Sequence, residues 1–166
     1  MLAPLVAAQY PAAAFADPAY AAGAAASESG IPSGIGVCPM LIEQGNALMK
    51  VTRTFAYEMN DPTGGALAAS LPAGFEIGSE HASEINFLYA QLGPTRTAGE
   101  QQMAARMLRY WGTFARTGRP EGALPWPALH ERSPNAIRFT PTGDVLVPWD
   151  MMSAEHRCGF WAQVGY

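Results

Sequence analysis

One histidine of this sequence is well placed for acid–base chemistry. His81 follows a glycine-rich stretch and precedes Glu84 by three residues. An imidazole with its ordinary pKa of about 6.5 takes a proton from a hydroxyl group and returns it at neutral pH. A lone histidine is more often a hydrogen-bonded loop residue. The residues alone therefore leave two interpretations of His81 open, a general base and a structural histidine.

His81 and Glu84 could also supply two ligands to a metal ion. Protein zinc sites use three or four protein ligands, and no further cluster of histidine or cysteine accompanies this pair in the sequence. We therefore predict neither a metal ion nor an organic cofactor. We predict that Glu84 anchors the loop through hydrogen bonds and is not the acid that orients His81. His130 and His156 are predicted to be exposed and without a role.

The sequence lacks a nucleophile for such a base to activate. A nucleophilic serine on a sharp strand-to-helix turn has the pattern Gly-x-Ser-x-Gly, which this sequence does not contain. Ser33 lies near two glycines, but the spacing differs and no strand is predicted before it. Gly64 and Gly65 follow the predicted strand and indicate a turn, not an oxyanion loop.

The elements that must position His81 are a strand, a loop and two helices. Alternating large and small residues predict a strand over 51–59, followed by a loop over 63–80 and a short helix over 83–92. Thr97 and Glu100 have the spacing of a capping box that begins a long helix. Gly118 is predicted to end that helix in the left-handed conformation. Its apolar face, predicted to be scaffold, comprises Met103, Met107, Tyr110, Trp111 and Phe114.

Other patterns predict helices over 18–26 and 39–50, a hairpin over 136–140 and 144–147, and a final helix capped by Ser153. A lone strand cannot satisfy its own backbone hydrogen bonds. We therefore expect strand 51–59 to need neighbours from outside this sequence.

The composition excludes some functions. The net charge is −4, and none of the ten basic residues precedes Lys50, which argues against binding to nucleic acid. No apolar run reaches the ~20 residues of a membrane-spanning helix. The alanine-rich N-terminus lacks a basic region and contains prolines, so we do not expect a signal peptide there. We expect Met1 to lie inside a longer natural chain.

Five motifs in order resemble type-B carboxylesterases, the family of cholinesterases and bacterial para-nitrobenzyl esterases. They are Cys38-Pro39, His81-x-x-Glu84, Tyr110-Trp111 followed by Thr117-Gly118-x-Pro120, Trp126-Pro127, and Cys158-x-Phe160-Trp161. The resemblance covers roughly residues 10–166. At position 82 this sequence has alanine where the family usually has glycine.

The resemblance implies that residues 1–166 are the C-terminal segment of a single α/β-hydrolase domain, mostly helical, with one or two sheet strands and a small hairpin. It implies that His81 is the catalytic base of a serine esterase acting on small-molecule carboxylic esters. The loop over 64–80 and the helical residues Phe87–Tyr89 would shape part of the ester pocket. The serine and the triad acid are expected upstream of Met1, so the isolated chain is expected to be inactive.

The resemblance also implies a disulfide between Cys38 and Cys158. From the residues alone, two buried free thiols remain an alternative. With the disulfide, the protein is expected to be secreted or periplasmic, and otherwise cytoplasmic. A second hypothesis for the whole chain is a non-catalytic interaction module or a truncated remnant. The oligomeric state is not predicted.

Overall fold

The computed structural model describes residues 2–30, 35–61, 79, 82–89, 96–130 and 135–165. The α-helices are α1 (Ala3–Gln9), α2 (Pro18–Ser29), α3 (Gly45–Val51), α4 (Glu84–Leu88), α5 (Ala98–Thr117), α6 (Trp149–Glu155) and α7 (Cys158–Val164). A 3₁₀ turn forms at Ala12–Ala14 and a π-helical turn at Pro39–Gln44. The strands are β1 (Tyr57–Met59), β2 (Asn135–Phe139) and β3 (Val145–Pro148).

The chain divides into two compact units. Unit 1 comprises Met1–Thr54, Leu129–Pro134 and Pro148–Tyr166, and unit 2 comprises Phe55–Ala128 and Asn135–Val147. The prediction that all residues belong to one domain stays a prediction. None of the helices in the described residues is long and apolar enough to cross a membrane.

Unit 2 contains a small sheet with the strand order β1-β2-β3. β1 and β2 are parallel, with Tyr57 opposite Ile137 and Met59 opposite Phe139. The connection from β2 to β3 is too short for a parallel crossover, so these two strands form a hairpin. The predicted hairpin is therefore confirmed.

The long helix α5 begins and ends as the sequence predicts. The Thr97 hydroxyl accepts from the Glu100 N–H at 3.2 Å, and the Glu100 carboxylate accepts from the Thr97 N–H at 2.6 Å. Gly118 has φ 70° and closes the helix. The buried core of unit 2, built around one face of α5, comprises Phe87, Met103, Ala104, Met107, Tyr110, Trp126, Ile137 and Phe139.

Unit 1 is helical and has a smaller core. Its buried hydrophobic cluster comprises Tyr10, Ala21, Cys38, Cys158 and Trp161. Cys38 and Cys158 are joined by a disulfide with an S–S distance of 2.09 Å. The predicted pairing is confirmed, and the alternative of two free thiols is wrong.

Three predicted boundaries differ from the structure. The strand predicted over 51–59 is confined to Tyr57–Met59, which pairs with Ile137–Phe139 of β2, while Val51 belongs to α3. Ser153 lies inside α6 and does not cap a final helix, since the αL conformation of Arg157 separates α6 from α7. The helix predicted to start at residue 83 starts at Glu84 and ends at Leu88.

Candidate functional site

His81 lies outside the described residues, so the structure describes only its neighbours in the chain. These are Ser79, the segment 82–89 that contains α4, and the strand β1 that precedes them. All of them belong to unit 2. The role of His81 as a base stays a prediction.

Ser79 is bound to the end of the β1 segment. The Asp61 N–H donates to Ser79 Oγ at 2.7 Å, and the Ser79 hydroxyl donates to the Asp61 carbonyl at 2.9 Å. Asp61 is fully buried. The chain immediately after β1 and the chain two residues before His81 are therefore held side by side.

Ala82 adopts a backbone conformation that favours glycine. Its φ is 68°, in the left-handed region. For a residue with a Cβ atom this region costs roughly 1–2 kcal/mol, because Cβ approaches the following carbonyl oxygen. The alanine that departs from the family's usual glycine thus lies at a position where glycine fits without strain.

Helix α4 follows at once and is fixed by one buried aromatic side chain. Phe87 is fully buried in the core of unit 2, and Ser83 is 1% exposed. The Arg96 guanidinium lies 5.0 Å above the centre of the Phe87 ring. Phe87 was predicted to help shape an ester pocket. That prediction is wrong, because its side chain is enclosed by the core, whereas Tyr89 on the same helix is 70% exposed.

Glu84 interacts with β1. Burial, and then the negative charge of Glu84 and hydrogen bonding to it, raise the pKa of Tyr57 to about 12. The Tyr57 hydroxyl therefore stays protonated at neutral pH and is able to donate to the carboxylate. The predicted anchoring of the His81 loop by Glu84 stays a prediction.

A polar network in unit 1 was not foreseen from the sequence. Tyr10 donates its hydroxyl proton to Glu28, and Trp161 Nε1–H donates to Tyr10 Oη at 2.7 Å. Arg157 stacks 4.5 Å above the Tyr10 ring, and its Nη1 lies 3.4 Å from Glu28 Oε1. Burial, more than the bond to Glu28, raises the pKa of Tyr10. The one available signal was a carboxylate, Glu28, inside an alanine-rich helix.

His156 also reaches this network. Its Nδ1 lies 3.6 Å from Glu28 Oε1, and its side chain is 19% exposed. The prediction that His156 is exposed is therefore wrong, because α2 packs beside the turn that contains it. His130 is exposed, as predicted.

Unit 1 also has an open depression of about 500 Å³ beside Arg157 and Phe160. The side chains lining it include no histidine or cysteine. Among the described residues, no group of three or more histidine, cysteine, aspartate or glutamate side chains is arranged to hold a metal ion.

A family model and two curated relatives all relate this chain to carboxylesterases and cholinesterases. The model of the carboxylesterase family matches residues 34–161. The chain is 29% identical over 130 residues to an acetylcholinesterase of Gallus gallus, covering 76% of this chain and 16% of that protein. It is 29% identical over 93 residues to carboxylesterase 4A of Bos taurus, covering 52% of this chain and 16% of that protein.

A solved structure, a PNB esterase, superposes with a TM-score of 0.51 and 20% identity over 66% of this chain and 22% of that one. This likeness confirms the predicted α/β-hydrolase fold class, realised here as many helices around a three-stranded sheet. The chain spans 16% of the length of each of the two curated relatives.

Proposed function

The chain belongs to the carboxylesterase family, and we propose that it supplies the catalytic histidine, His81, to a serine esterase that hydrolyses small-molecule carboxylic esters. The observation that carries the proposal is that the family match, residues 34–161, includes His81 together with the segments described around it. Those segments are the tie between Asp61 and Ser79 and the left-handed turn at Ala82.

In this proposal His81 moves one proton in each half of the reaction. It accepts the proton of a serine hydroxyl as that oxygen attacks the ester carbonyl carbon, and it returns the proton to the departing alcohol oxygen. A water molecule then loses its proton to His81 and releases the acid from the acyl-serine, whose oxygen recovers the proton. The imidazole needs a carboxylate partner to hold its other nitrogen.

We propose that the serine and the carboxylate partner come from polypeptide upstream of Met1. No Gly-x-Ser-x-Gly pattern occurs in the 166 residues, and the chain spans 16% of its curated relatives. The isolated chain is then inactive, because an imidazole without a positioned nucleophile has no serine to activate. Of the two aromatic residues of the 87–89 segment, only Tyr89 is exposed and available to an ester pocket.

The test compares the 166-residue protein with the polypeptide encoded by any longer reading frame that contains it. A para-nitrophenyl ester should be hydrolysed by the longer protein only. His81→Ala should lower its kcat at least about 10³-fold, as expected for a triad base. His130→Ala, which removes an exposed histidine, is the matched control and should retain activity. Hydrolysis by the 166-residue protein that is lost in His81→Ala would disprove the need for upstream residues.

The disulfide supports export of the protein to an oxidising compartment. Both cysteines are almost fully buried, at 0% and 2% exposure. Labelling of thiols in protein taken directly from its source, with and without prior reduction, tests this point. Two thiols reactive under denaturing conditions without reductant would indicate a cytoplasmic protein.

A further inference from the structure

A buried carboxylate in unit 1 lies between two basic side chains. Glu28 is near the C-terminal end of α2, and its side chain is 8% exposed. Its Oε1 lies 3.4 Å from Arg157 Nη1 and 3.6 Å from His156 Nδ1. Tyr10 donates its hydroxyl proton to the other oxygen, Oε2. The carboxylate thus meets one permanent cation and one side chain whose charge depends on pH.

His156 is the member of this cluster that can change its charge near neutral pH. Arginine stays protonated in folded proteins. Burial, more than the bond to Glu28, raises the pKa of Tyr10, so this hydroxyl keeps its proton as well. An imidazole has an ordinary pKa of about 6.5, and a neighbouring carboxylate favours its protonated form. The charge of the cluster between pH 5 and 8 therefore responds to His156.

The helices packed around the cluster carry few other charges. Neither α1 nor α7 contains a charged residue, and Glu28 is the only one within α2. Asp17, the N-cap of α2, is about 16 Å from Glu28 along the helix. Asp150 and Glu155 of α6 are exposed to water, which screens them. The charges that act most strongly on His156 are therefore those of Glu28 and Arg157.

Two influences oppose protonation of His156, and one favours it. Its side chain is 19% exposed, so burial disfavours the charged form, and the Arg157 cation repels it. Arg157 is also held by the Gln9 carbonyl at 3.1 Å and stacks on the Tyr10 ring. The carboxylate of Glu28 is within ion-pair distance of the imidazole. We expect this attraction to outweigh the two opposing influences.

The cluster lies where three segments of unit 1 meet at the disulfide. His156 and Arg157 directly precede Cys158, which is bonded to Cys38. On the other side, the chain after Glu28 passes close to itself, since a Cβ atom on Gly36 would lie 2.3 Å from the Gly30 nitrogen. Contacts of Glu28 therefore join the end of α2 to both halves of the covalent link.

We propose that Glu28 and His156 form a pH-dependent ion pair that binds the end of α2 to the turn between α6 and α7. A histidine that gains a carboxylate on folding has a higher pKa in the folded state than the unfolded value of about 6.5. Its contribution to stability is fully present below the unfolded value and is lost as pH rises through the folded value. The junction is then tightest in mildly acidic solution, independently of any esterase reaction.

The first experiment follows the imidazole Cε1–H signals by NMR between pH 5 and 9. The titration midpoint of His156 should lie at higher pH in the natural protein than in Glu28→Gln, because the amide removes the negative charge. The exposed His130 is the internal control and should titrate identically in both proteins. An equal midpoint for His156, or a lower one in the natural protein, would overturn the proposal.

A double-mutant cycle measures the same pair through stability. Urea unfolding of the natural protein, Glu28→Gln, His156→Gln and the double variant gives the coupling between the two residues as a ratio of unfolding equilibrium constants. This coupling should be at least about threefold larger at pH 5.5 than at pH 8. Coupling that is equal at both pH values, or larger at pH 8, would contradict a pH-dependent pair.

The reduction rate of the disulfide gives a readout that does not need Glu28→Gln to fold. Both cysteines are almost fully buried, so a water-soluble phosphine reaches them only when the junction opens. At pH 5.5 the natural protein should be reduced at least about threefold more slowly than His156→Gln, and at pH 8 the two rates should converge. His130→Gln should match the natural protein at both pH values. A rate ratio that does not change with pH would overturn the proposal.

Discussion

The two units bury polar aromatic groups in different ways. In unit 1, Trp161 donates to the Tyr10 hydroxyl, which donates to the carboxylate of Glu28. In unit 2, the Tyr110 hydroxyl donates to the Leu124 carbonyl at 2.7 Å, and Trp126 Nε1–H donates to the Ala56 carbonyl at 3.0 Å. These four buried groups therefore have side-chain partners in unit 1 and backbone partners in unit 2.

The difference follows from the elements available in each unit. Unit 1 is built from helices, whose interior backbone groups are already bonded within each helix, so a buried hydroxyl needs a side-chain partner. Unit 2 has extended segments whose carbonyl groups accept hydrogen bonds from side chains of its core. Unit 1 also has the smaller core, and it carries the disulfide. A small core is the situation in which a covalent link adds most.

The largest expected effect comes from removing the disulfide. The double substitution Cys38→Ser with Cys158→Ser should destabilise the protein by about 4–5 kcal/mol, because it frees a loop of more than 100 residues in the unfolded chain. Urea unfolding with and without the substitutions measures this. Reduction of the natural protein should give the same shift. A loss below about 1 kcal/mol would contradict the view that unit 1 depends on its cross-link.

A smaller loss of stability is expected when a single tyrosine hydroxyl is removed, and the loss should differ between the two units. Tyr10→Phe removes a hydrogen bond to a charged group, so it should cost about twice as much as Tyr110→Phe, roughly 2–3 against 1 kcal/mol. Chemical unfolding of both variants tests the ratio. A larger loss of unfolding free energy in Tyr110→Phe than in Tyr10→Phe would contradict the prediction. It would show that the hydrogen bond to the carboxylate stabilises the protein less than the bond to the backbone carbonyl.

The third test uses the two non-glycine residues with positive φ in the described chain. Ala82→Gly should stabilise the protein by up to about 1 kcal/mol, because the relief of left-handed strain outweighs the entropy that glycine adds to the unfolded chain. Ala105→Gly, on the exposed face of α5, is the control and should destabilise it by about 1 kcal/mol.

Arg157 has φ 53° in unit 1 but also bonds to the Gln9 carbonyl and to Glu28. Arg157→Gly should therefore destabilise the protein despite relieving the same strain. Thermal melts of the three glycine variants rank them. A stabilising Arg157→Gly would show that the contacts in unit 1 contribute less than the strain.

The smallest expected effect is a loss of stability at low pH that depends on Glu100. Burial acts to raise the pKa of Glu100, but its bonds to Arg96 and Thr97 outweigh burial and leave the pKa lowered. A lowered pKa gives stability that is present above the unfolded value of about 4.3 and is lost as pH falls through the folded value. Melting curves between pH 7 and 3 should therefore lose less stability in Glu100→Gln, which keeps the capping geometry, than in the natural protein. Identical pH profiles would rule out this contribution.

Local signals in the sequence predict the corresponding elements of the structure correctly. The helix Ala98–Thr117 was foreseen from Thr97, Glu100 and Gly118, because a capping box and a left-handed glycine act within one turn of the chain. The hairpin was foreseen from alternation around a short turn. Boundaries set by distant partners were missed, as at Val51, which ends a helix where a strand was predicted.

At the candidate site, too, features with a sequence motif are predicted correctly and features that depend on packing are not. The order of motifs identified the family and the cysteine pair, which the comparisons and the structure confirm. The exposure of His156 and the role of Phe87 were predicted wrongly, because both depend on which helix packs against them. His81 lies outside the described residues and stays a prediction.

The order and spacing of the residues are enough to identify the family, the long helix and the cysteine pairing that the family implies. Each of these features is indicated by residue types at a fixed spacing, and such a spacing can be recognised without knowing which residues are in contact. The left-handed conformation of Ala82 and the contacts of Glu28 with Tyr10, His156 and Arg157 are seen only once the chain is folded. Those features depend on segments far apart in the chain, and no local pattern encodes which partners meet when the chain folds.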